Sequence, residues 1–136
     1  MSRDPALPLQ AALIAALRGD GAVADLVGAR VFDEVPQQAI FPYVAIGEMQ
    51  GLVFRADQYR GTDEVVTLHA WSRSVGSVEV RQILTALREA LDGAALSVTG
   101  FRLVSLLVDE SRSFLDQDGK THHGVLTFRA LLEPAT

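Results

Sequence analysis

One stretch of the sequence has the apolar spacing of a helix that packs against a core. Its apolar residues recur every three or four positions, at Val80, Ile83, Leu84, Leu87 and Leu91. Charged residues such as Arg81, Arg88 and Glu89 fall outside that stripe, and Gly93 follows it as an end signal. Because a helix with one apolar face must bury it against another element, the stripe predicts a layer beneath this helix.

The segments on either side of the helix have the composition of β-strands. Residues 43–49 are rich in β-forming side chains, and residues 64–71 alternate between apolar and polar side chains. After the helix, residues 96–108 and 121–132 predict further strands, and the Asp118-Gly119 pair is typical of a hairpin turn. Strands on both sides of the helix indicate that the layer beneath it is a sheet.

Two short helices are predicted before the first strand. Leu9 to Leu17 have helical apolar spacing, and Asp20 is placed to cap a second helix from Ala22 to Val27. A short strand is predicted from Val31 to Val35. The order of elements predicts an α+β fold, with a mostly antiparallel sheet and two to three helices packed on one of its faces. We expect a single domain over residues 1–136.

Composition excludes several classes of function. The chain has no cysteine, which excludes disulfides, thiolate catalysis and Cys-based zinc sites. Its formal net charge of −5 argues against a protein that holds nucleic acid phosphates, although it has eleven arginines and one lysine. No apolar run approaches the roughly 20 residues of a membrane helix, and the first residues do not resemble a signal peptide. We therefore expect a soluble, intracellular protein without a membrane segment.

The three histidines are the candidates for catalysis or metal binding. His122 and His123 are adjacent, so in a strand they point to opposite faces and cannot readily bind one metal. His69 could approach one of them only if its strand and the last strand were neighbours. No acidic residue is adjacent in sequence to orient an imidazole. We expect no catalytic residue, no metal and no cofactor.

Residues 51–62 have no regular apolar period, and we predict an exposed loop there, as at residues 116–120. The segment 51–62 mixes large apolar side chains with arginine and aspartate, a composition typical of protein interfaces. The candidate interface residues are Phe54, Arg55, Tyr59 and Arg60. The alternative is that the loop folds back onto its own domain.

The order of segments resembles one known family. The short helix pair is followed by Phe41-Pro42-Tyr43-Val44-Ala45-Ile46-Gly47-Glu48, and a strand ends with Leu68-His69-Ala70-Trp71-Ser72. The amphipathic helix comes next, and a strand with His123-Gly124-Val125-Leu126-Thr127-Phe128-Arg129-Ala130 closes the chain. From about Leu9 to Leu132 this layout resembles the tail-completion, or tail-terminator, proteins of long-tailed phages and of phage-derived gene transfer agents.

The resemblance implies a structural protein without catalytic residues. Such a subunit forms a hexameric ring at the head-proximal end of a tail tube, ends tube polymerisation and docks the tail to the head connector, a stopper or adaptor protein. The implied location is the bacterial cytoplasm during assembly and then the tail or neck of the particle. DNA would pass through the lumen without specific binding, which the acidic balance of the chain fits.

Two other functions are compatible with the sequence. The chain could be another protein of the head–tail neck, an adaptor or a stopper, and only its binding partner would separate these possibilities. It could also be a small enzyme that uses His69, His122 or His123.

Overall fold

The helices of the computed structural model lie where the sequence predicts them. The structure describes residues 4–56 and 59–135, and the side chains of residues 56 and 59 lie outside that description. Its helices are α1 (Ala6–Gly19), α2 (Gly21–Val27) and α3 (Val78–Leu91). The Asp20 carboxylate accepts a hydrogen bond from the backbone N–H of Val23 at 3.1 Å, so Asp20 caps α2 as predicted.

The strands form one sheet with a mixed edge. They are β1 (Val31–Phe32), β2 (Tyr43–Ala56), β3 (Tyr59–Ser72), β4 (Phe101–Leu115) and β5 (His122–Pro134). Across the described residues the strand order is β1-β2-β3-β5-β4. Only the short β1 runs parallel to its neighbour, and the other pairs are antiparallel. The predicted α+β class with a mostly antiparallel sheet is confirmed.

The described helices pack on one face of this sheet, which we call the covered face. The predicted apolar side of β3 contributes Val66, Leu68 and Ala70 to it, and all three are fully buried. The α3 stripe joins them in one core cluster with α1 and β5. The other face, here the open face, carries the remaining residues of each strand, which are mostly half-buried or exposed.

The prediction of a loop at residues 51–62 is wrong. β2 and β3 continue through this segment as an antiparallel hairpin, with Val53 opposite Thr62, Phe54 opposite Gly61 and Arg55 opposite Arg60. A register shift between Ile46 and Met49 interrupts the strand upstream of it. The described side chains at 52–55 are exposed on both faces, so burial imposes no alternation, and alternation was the signal that the strand prediction required.

Two strand boundaries also differ from the prediction. The strand predicted from Val31 to Val35 has only two residues. The strand predicted from Leu96 begins at Phe101, because Gly100 adopts a φ of +82° and reverses the chain immediately before it.

An exposed turn at residues 117–120 joins β4 to β5, as the Asp118-Gly119 pair predicts. The Asp118 carboxylate accepts hydrogen bonds from the Thr121 hydroxyl at 2.6 Å and from the backbone N–H groups of Lys120 and Thr121 at 2.8 Å. These bonds favour the ionised carboxylate and lower the pKa of Asp118 to about 2. The turn therefore keeps its negative charge down to strongly acidic pH.

Truncation of Leu87 is expected to destabilise the fold strongly. Leu87 lies on the apolar face of α3 and is 0% exposed. Leu87→Ala should lower the free energy of unfolding by about 2–5 kcal/mol, because it removes buried methyl groups and leaves a cavity. Leu7→Ala is the matched control, since Leu7 is 76% exposed on α1. Urea unfolding measures both, and a loss at Leu87 no larger than that at Leu7 would contradict the core assignment.

Candidate functional site

The end of the β2–β3 hairpin is the first candidate site. We call residues 51–62 the hairpin arm. The pairing of β3 with β5 begins at Thr62, which lies opposite Leu132. The preceding residues of β3, Tyr59 to Gly61, pair with β2 alone. A two-stranded hairpin is marginally stable by itself in water. The end of the arm therefore gains little stability from its own domain.

The arm carries a run of exposed apolar side chains. Leu52 is 43% exposed, Val53 is 65% exposed and Phe54 is 45% exposed. Val53 points to the covered face and its two neighbours point to the open face, so both sides of the arm are apolar. Consecutive exposed apolar residues on a strand are a liability unless another surface covers them.

The structure brings three of the four predicted interface residues together on this arm. Phe54, Arg55 and Arg60 are exposed there, and the two arginines occupy opposed positions across the hairpin. Tyr59 lies in the same strand, but its side chain falls outside the described residues.

A groove of about 570 Å³ lies between the hairpin arm and the start of α1. We call it the arm groove. Its apolar walls include Met49, Val53, Phe101 and Leu132. Four charged residues also line it, namely Asp4, Arg55, Arg60 and Glu64.

Glu64 is the unusual residue of the arm groove. It occupies a covered-face position of β3 and is 2% exposed. Gly51 lies directly opposite on β2, and a Cβ atom there would come 2.8 Å from the Glu64 Oε1 atom. Burial, followed by the nearby charges of Asp4 and Asp63, raises the pKa of the Glu64 carboxyl.

Sequence reasoning missed this carboxylate, although a signal for it was present. The residues of β3 at positions 66, 68 and 70 are apolar, and position 64 belongs to the same face. A charged residue that continues an apolar face, together with a glycine in the neighbouring strand, indicates a functional position. The glycine partner becomes evident only once the register of β2 against β3 is known.

A second groove, of about 590 Å³, lies between α2 and α3. We call it the α2–α3 groove. It is shallow, and its apolar lining comes from Ala22, Leu26, Val78 and Ala86. Asp25, Arg81 and Glu89 line it as well.

Two of the three histidines meet on the open face. Because β3 and β5 are neighbours, the Nδ1 atom of His69 lies 2.7 Å from the Nε2 atom of His123, within hydrogen-bond distance. His123 also stacks on Trp71, with ring centroids 3.8 Å apart, and meets the edge of Phe114. His122 belongs to the covered-face side of β5 and does not join them.

The histidine pair is a packing arrangement in which the neutral form of each ring is favoured. Burial is the largest cause that lowers the pKa of both imidazoles. Arg112 lowers both pKa values further, whereas Glu48 raises that of His69 and Asp116 raises that of His123. In the part of the chain that the structure describes, no three His, Asp or Glu side chains are grouped to hold a metal ion.

Acidification is expected to destabilise the protein through this histidine pair. Folding lowers the pKa of both rings from the ordinary value of 6.5, so below that pH the unfolded chain binds more protons than the folded chain. The free energy of unfolding should therefore fall as the pH drops through and below about 6.5. Urea unfolding at a series of pH values measures this dependence.

The variants His123→Gln and His122→Gln separate the pair from other titrating groups. His123→Gln should flatten the dependence of stability on pH, because it removes one titrating ring and the contact with His69. His122→Gln is the comparison variant, because it removes an adjacent imidazole and leaves the His69–His123 contact in place. Equal pH dependences of the wild-type protein and His123→Gln would contradict the role of the pair.

None of the helices in the described residues is long and apolar enough to cross a membrane.

Comparison with known proteins places the fold in a family of virion proteins. Residues 11–133 match the family described as tail completion protein gp17. The tail completion protein gp17 of Bacillus phage SPP1 is 28% identical over 89 residues, which span 65% of this chain and 66% of that protein.

Two solved structures have similar folds. A chain in the virion of a native gene transfer agent particle aligns with a TM-score of 0.89 at 28% identity, covering 97% of this chain and 99% of that one. The structure of bacteriophage SPP1 gp17 aligns with a TM-score of 0.63 at 23% identity, covering 91% and 88%, and shows a common fold. Because the family match covers most of the chain and the elements agree along its length, this protein belongs to the tail completion protein gp17 family and is a structural component of a phage-type tail.

Proposed function

We propose that the protein forms a ring at the head-proximal end of a tail tube, ends polymerisation of the tube and docks the tail to the head connector. The observation that carries this proposal is the hairpin arm. It carries the exposed apolar residues Leu52, Val53 and Phe54, and from the Phe54–Gly61 pair to its end it consists of two strands only. These side chains are protected from water only if a neighbouring molecule covers them.

The position of the arm favours a ring over a symmetric pair. An arm that binds a different surface on the next subunit makes a head-to-tail contact, and repetition of that contact closes a ring if the rotation is suitable. The subunit number of six comes from the resemblance to tail-terminator proteins, since the fold of one subunit does not define the rotation. The tail tube protein and the head connector are the partners of the two ends of such a ring.

The charge distribution is compatible with passage of DNA through the ring. On the open face, Arg129 is paired with Asp63 at 3.2 Å and with Asp109 at 2.9 Å. Arg112 lies 3.7 Å from Glu110 on the same face. Arginines that are paired with carboxylates attract phosphates weakly, so the subunit can surround DNA without holding it.

A structural role also accounts for the histidines. The His69–His123 contact is surrounded by Trp71 and Phe114, and these four rings together stabilise the end of the sheet near the β4–β5 turn. We infer that the protein has no enzymatic activity. This inference rests on the family and on the packing role of the rings.

Replacement of the large side chains of the arm is expected to prevent assembly. The double variant Phe54→Ser and Tyr59→Ser should fold, because Phe54 is exposed and both residues lie beyond the pairing of β3 with β5, but it should fail to form rings and to cap tubes. Leu107→Ser is the matched control, since Leu107 is an apolar residue of β4 that is 55% exposed and lies outside the arm. Native mass measurement of the protein, alone and mixed with tail tube protein, together with tube lengths from electron microscopy, gives the result.

The outcomes of this experiment separate the candidate functions. Overlong tubes, or tails without heads, with the arm variant would support the proposal. Normal particles with that variant would contradict it, as would loss of the fold. Binding of the wild-type protein to a portal or adaptor protein and not to the tube would assign it to another position in the neck.

Amide exchange should show that assembly orders the hairpin arm. The backbone of residues 52–55 and 60–61 pairs only within the β2–β3 hairpin, whereas the central part of β3 is paired on both sides. In the free subunit these residues should therefore exchange faster than the central part of β3. In the assembled ring the same amides should become protected. Residues 66–70 serve as the internal reference, and equal exchange of the arm before and after assembly would contradict its role as an interface.

A further inference from the structure

Glu64 is a buried carboxylate that has no partner within the described subunit. It is 2% exposed and lines the arm groove. No described residue donates a hydrogen bond to it or lies within ion-pair distance, and the two charges that act on its pKa, those of Asp4 and Asp63, are themselves acidic. Burial in the groove limits the access of water to this carboxylate and disfavours its charged form, which raises the pKa of Glu64.

The glycine opposite Glu64 leaves space for the carboxylate. A Cβ atom at Gly51 would come 2.8 Å from Oε1, so a side chain there would require the Glu64 carboxylate to shift. Arg55 and Arg60 line the same groove without forming an ion pair with Glu64. The lining of the groove therefore combines apolar side chains with the Glu64 carboxylate and two arginines.

The α2–α3 groove has the complementary set of features on the same chain. Its walls are apolar, and Arg81 projects from the exposed face of α3 with no ion pair or side-chain hydrogen bond to a described residue. Asp25 and Glu89 line that groove and are exposed. The arm groove thus offers Glu64 as a partner for the Arg81 cation of the α2–α3 groove, and it offers Arg55 and Arg60 as partners for Asp25 and Glu89.

We propose that the arm groove binds the α2–α3 surface of a second copy of this chain, with the Arg81 guanidinium of that copy seated on Glu64. Val53 then packs into the apolar α2–α3 groove, and Arg55 and Arg60 lie against Asp25 and Glu89. This inference rests on the proposed ring and assigns its subunit contact. The contact joins two different surfaces, so every subunit in a closed ring uses both.

Glu64→Gln tests the contact, because it removes the charge and keeps the shape. In the isolated subunit the variant should be at least as stable as the wild type, since the unpaired charge is gone. Association should weaken about 30-fold, which corresponds to roughly 2 kcal/mol at 1.4 kcal/mol per factor of ten, the low end for loss of a buried charge pair. Sedimentation or native mass measurement over a concentration series gives the association constant, and urea unfolding of the dilute subunit gives its stability.

The pH dependence gives an independent readout for the same residue. Folding raises the pKa of Glu64 above its ordinary value of 4.5, so the folded subunit binds more protons than the unfolded chain above that pH. The contribution of Glu64 to the free energy of unfolding therefore decreases as the pH rises through and above 4.5. Glu64→Gln removes this contribution, whereas a purely packing role would leave the pH dependence unchanged.

A mixing experiment identifies the partner residue. Arg81→Gln should weaken association as much as Glu64→Gln, and the double variant should be no weaker than either single variant. Arg88→Gln is the control, because Arg88 is exposed on the same helix but does not line the α2–α3 groove. An equimolar mixture of the two single variants retains one intact contact, so it should form dimers with wild-type affinity and no rings.

Each failure has a distinct meaning. A Glu64→Gln subunit that is less stable and still associates normally would overturn the inference and leave the ring intact, as would a mixture that associates no better than its components. Weakened binding to tail tube protein with unchanged self-association would identify the tube, not a second copy, as the occupant. A wild-type chain that stays monomeric while it caps tubes would overturn both this contact and the proposed ring.

Discussion

Pairing between β3 and β5 is the interaction on which the rest of the structure depends. These two strands are neighbours in space although α3 and β4 separate them in the chain, and their alternate residues form the centre of the covered face. α3 lies directly on them: a Cβ atom at Gly124 would come 3.0 Å from the side chain of Leu84. A glycine in the central strand therefore sets how closely the helix approaches the sheet, and the α3 stripe is buried as a result.

The same pairing separates a stable centre from exposed surfaces that are available for assembly. The core cluster ends where β5 ends, and the hairpin arm continues beyond it with hydrogen bonds between two strands only. On the open face the pairing brings His69 to His123, which produces a stack of rings at one end of the sheet. The hairpin arm and the stack of rings thus both lie outside the core cluster that the helices cover.

Sequence patterns predicted those parts of the fold whose periodicity reflects burial. The sequence predicted the α3 stripe, the Asp20 cap and the apolar face of β3, because each depends only on residue types that are close together in the chain. The sequence did not predict the strands of the hairpin arm. Leu52, Val53 and Phe54 are all exposed, so this segment lacks the alternation of apolar and polar residues that predicts a strand. Glu64 was missed for a different reason: its environment depends on the register that places it opposite Gly51, and register is a property of two strands together.

The unfavourable features of the isolated subunit would all be removed by the same subunit contact. A buried carboxylate without an ion-pair partner among the described residues and the exposed apolar side chains of the hairpin arm each raise the free energy of the monomer. All of them are relieved together if one head-to-tail contact forms, and none is relieved by a partial contact that lacks the correct alignment. A subunit organised in this way gains specificity for its neighbour, because a misaligned partner leaves the Glu64 charge buried and unpaired. Assembly into a closed ring would then be favoured over open aggregates, in which the terminal subunits keep these defects.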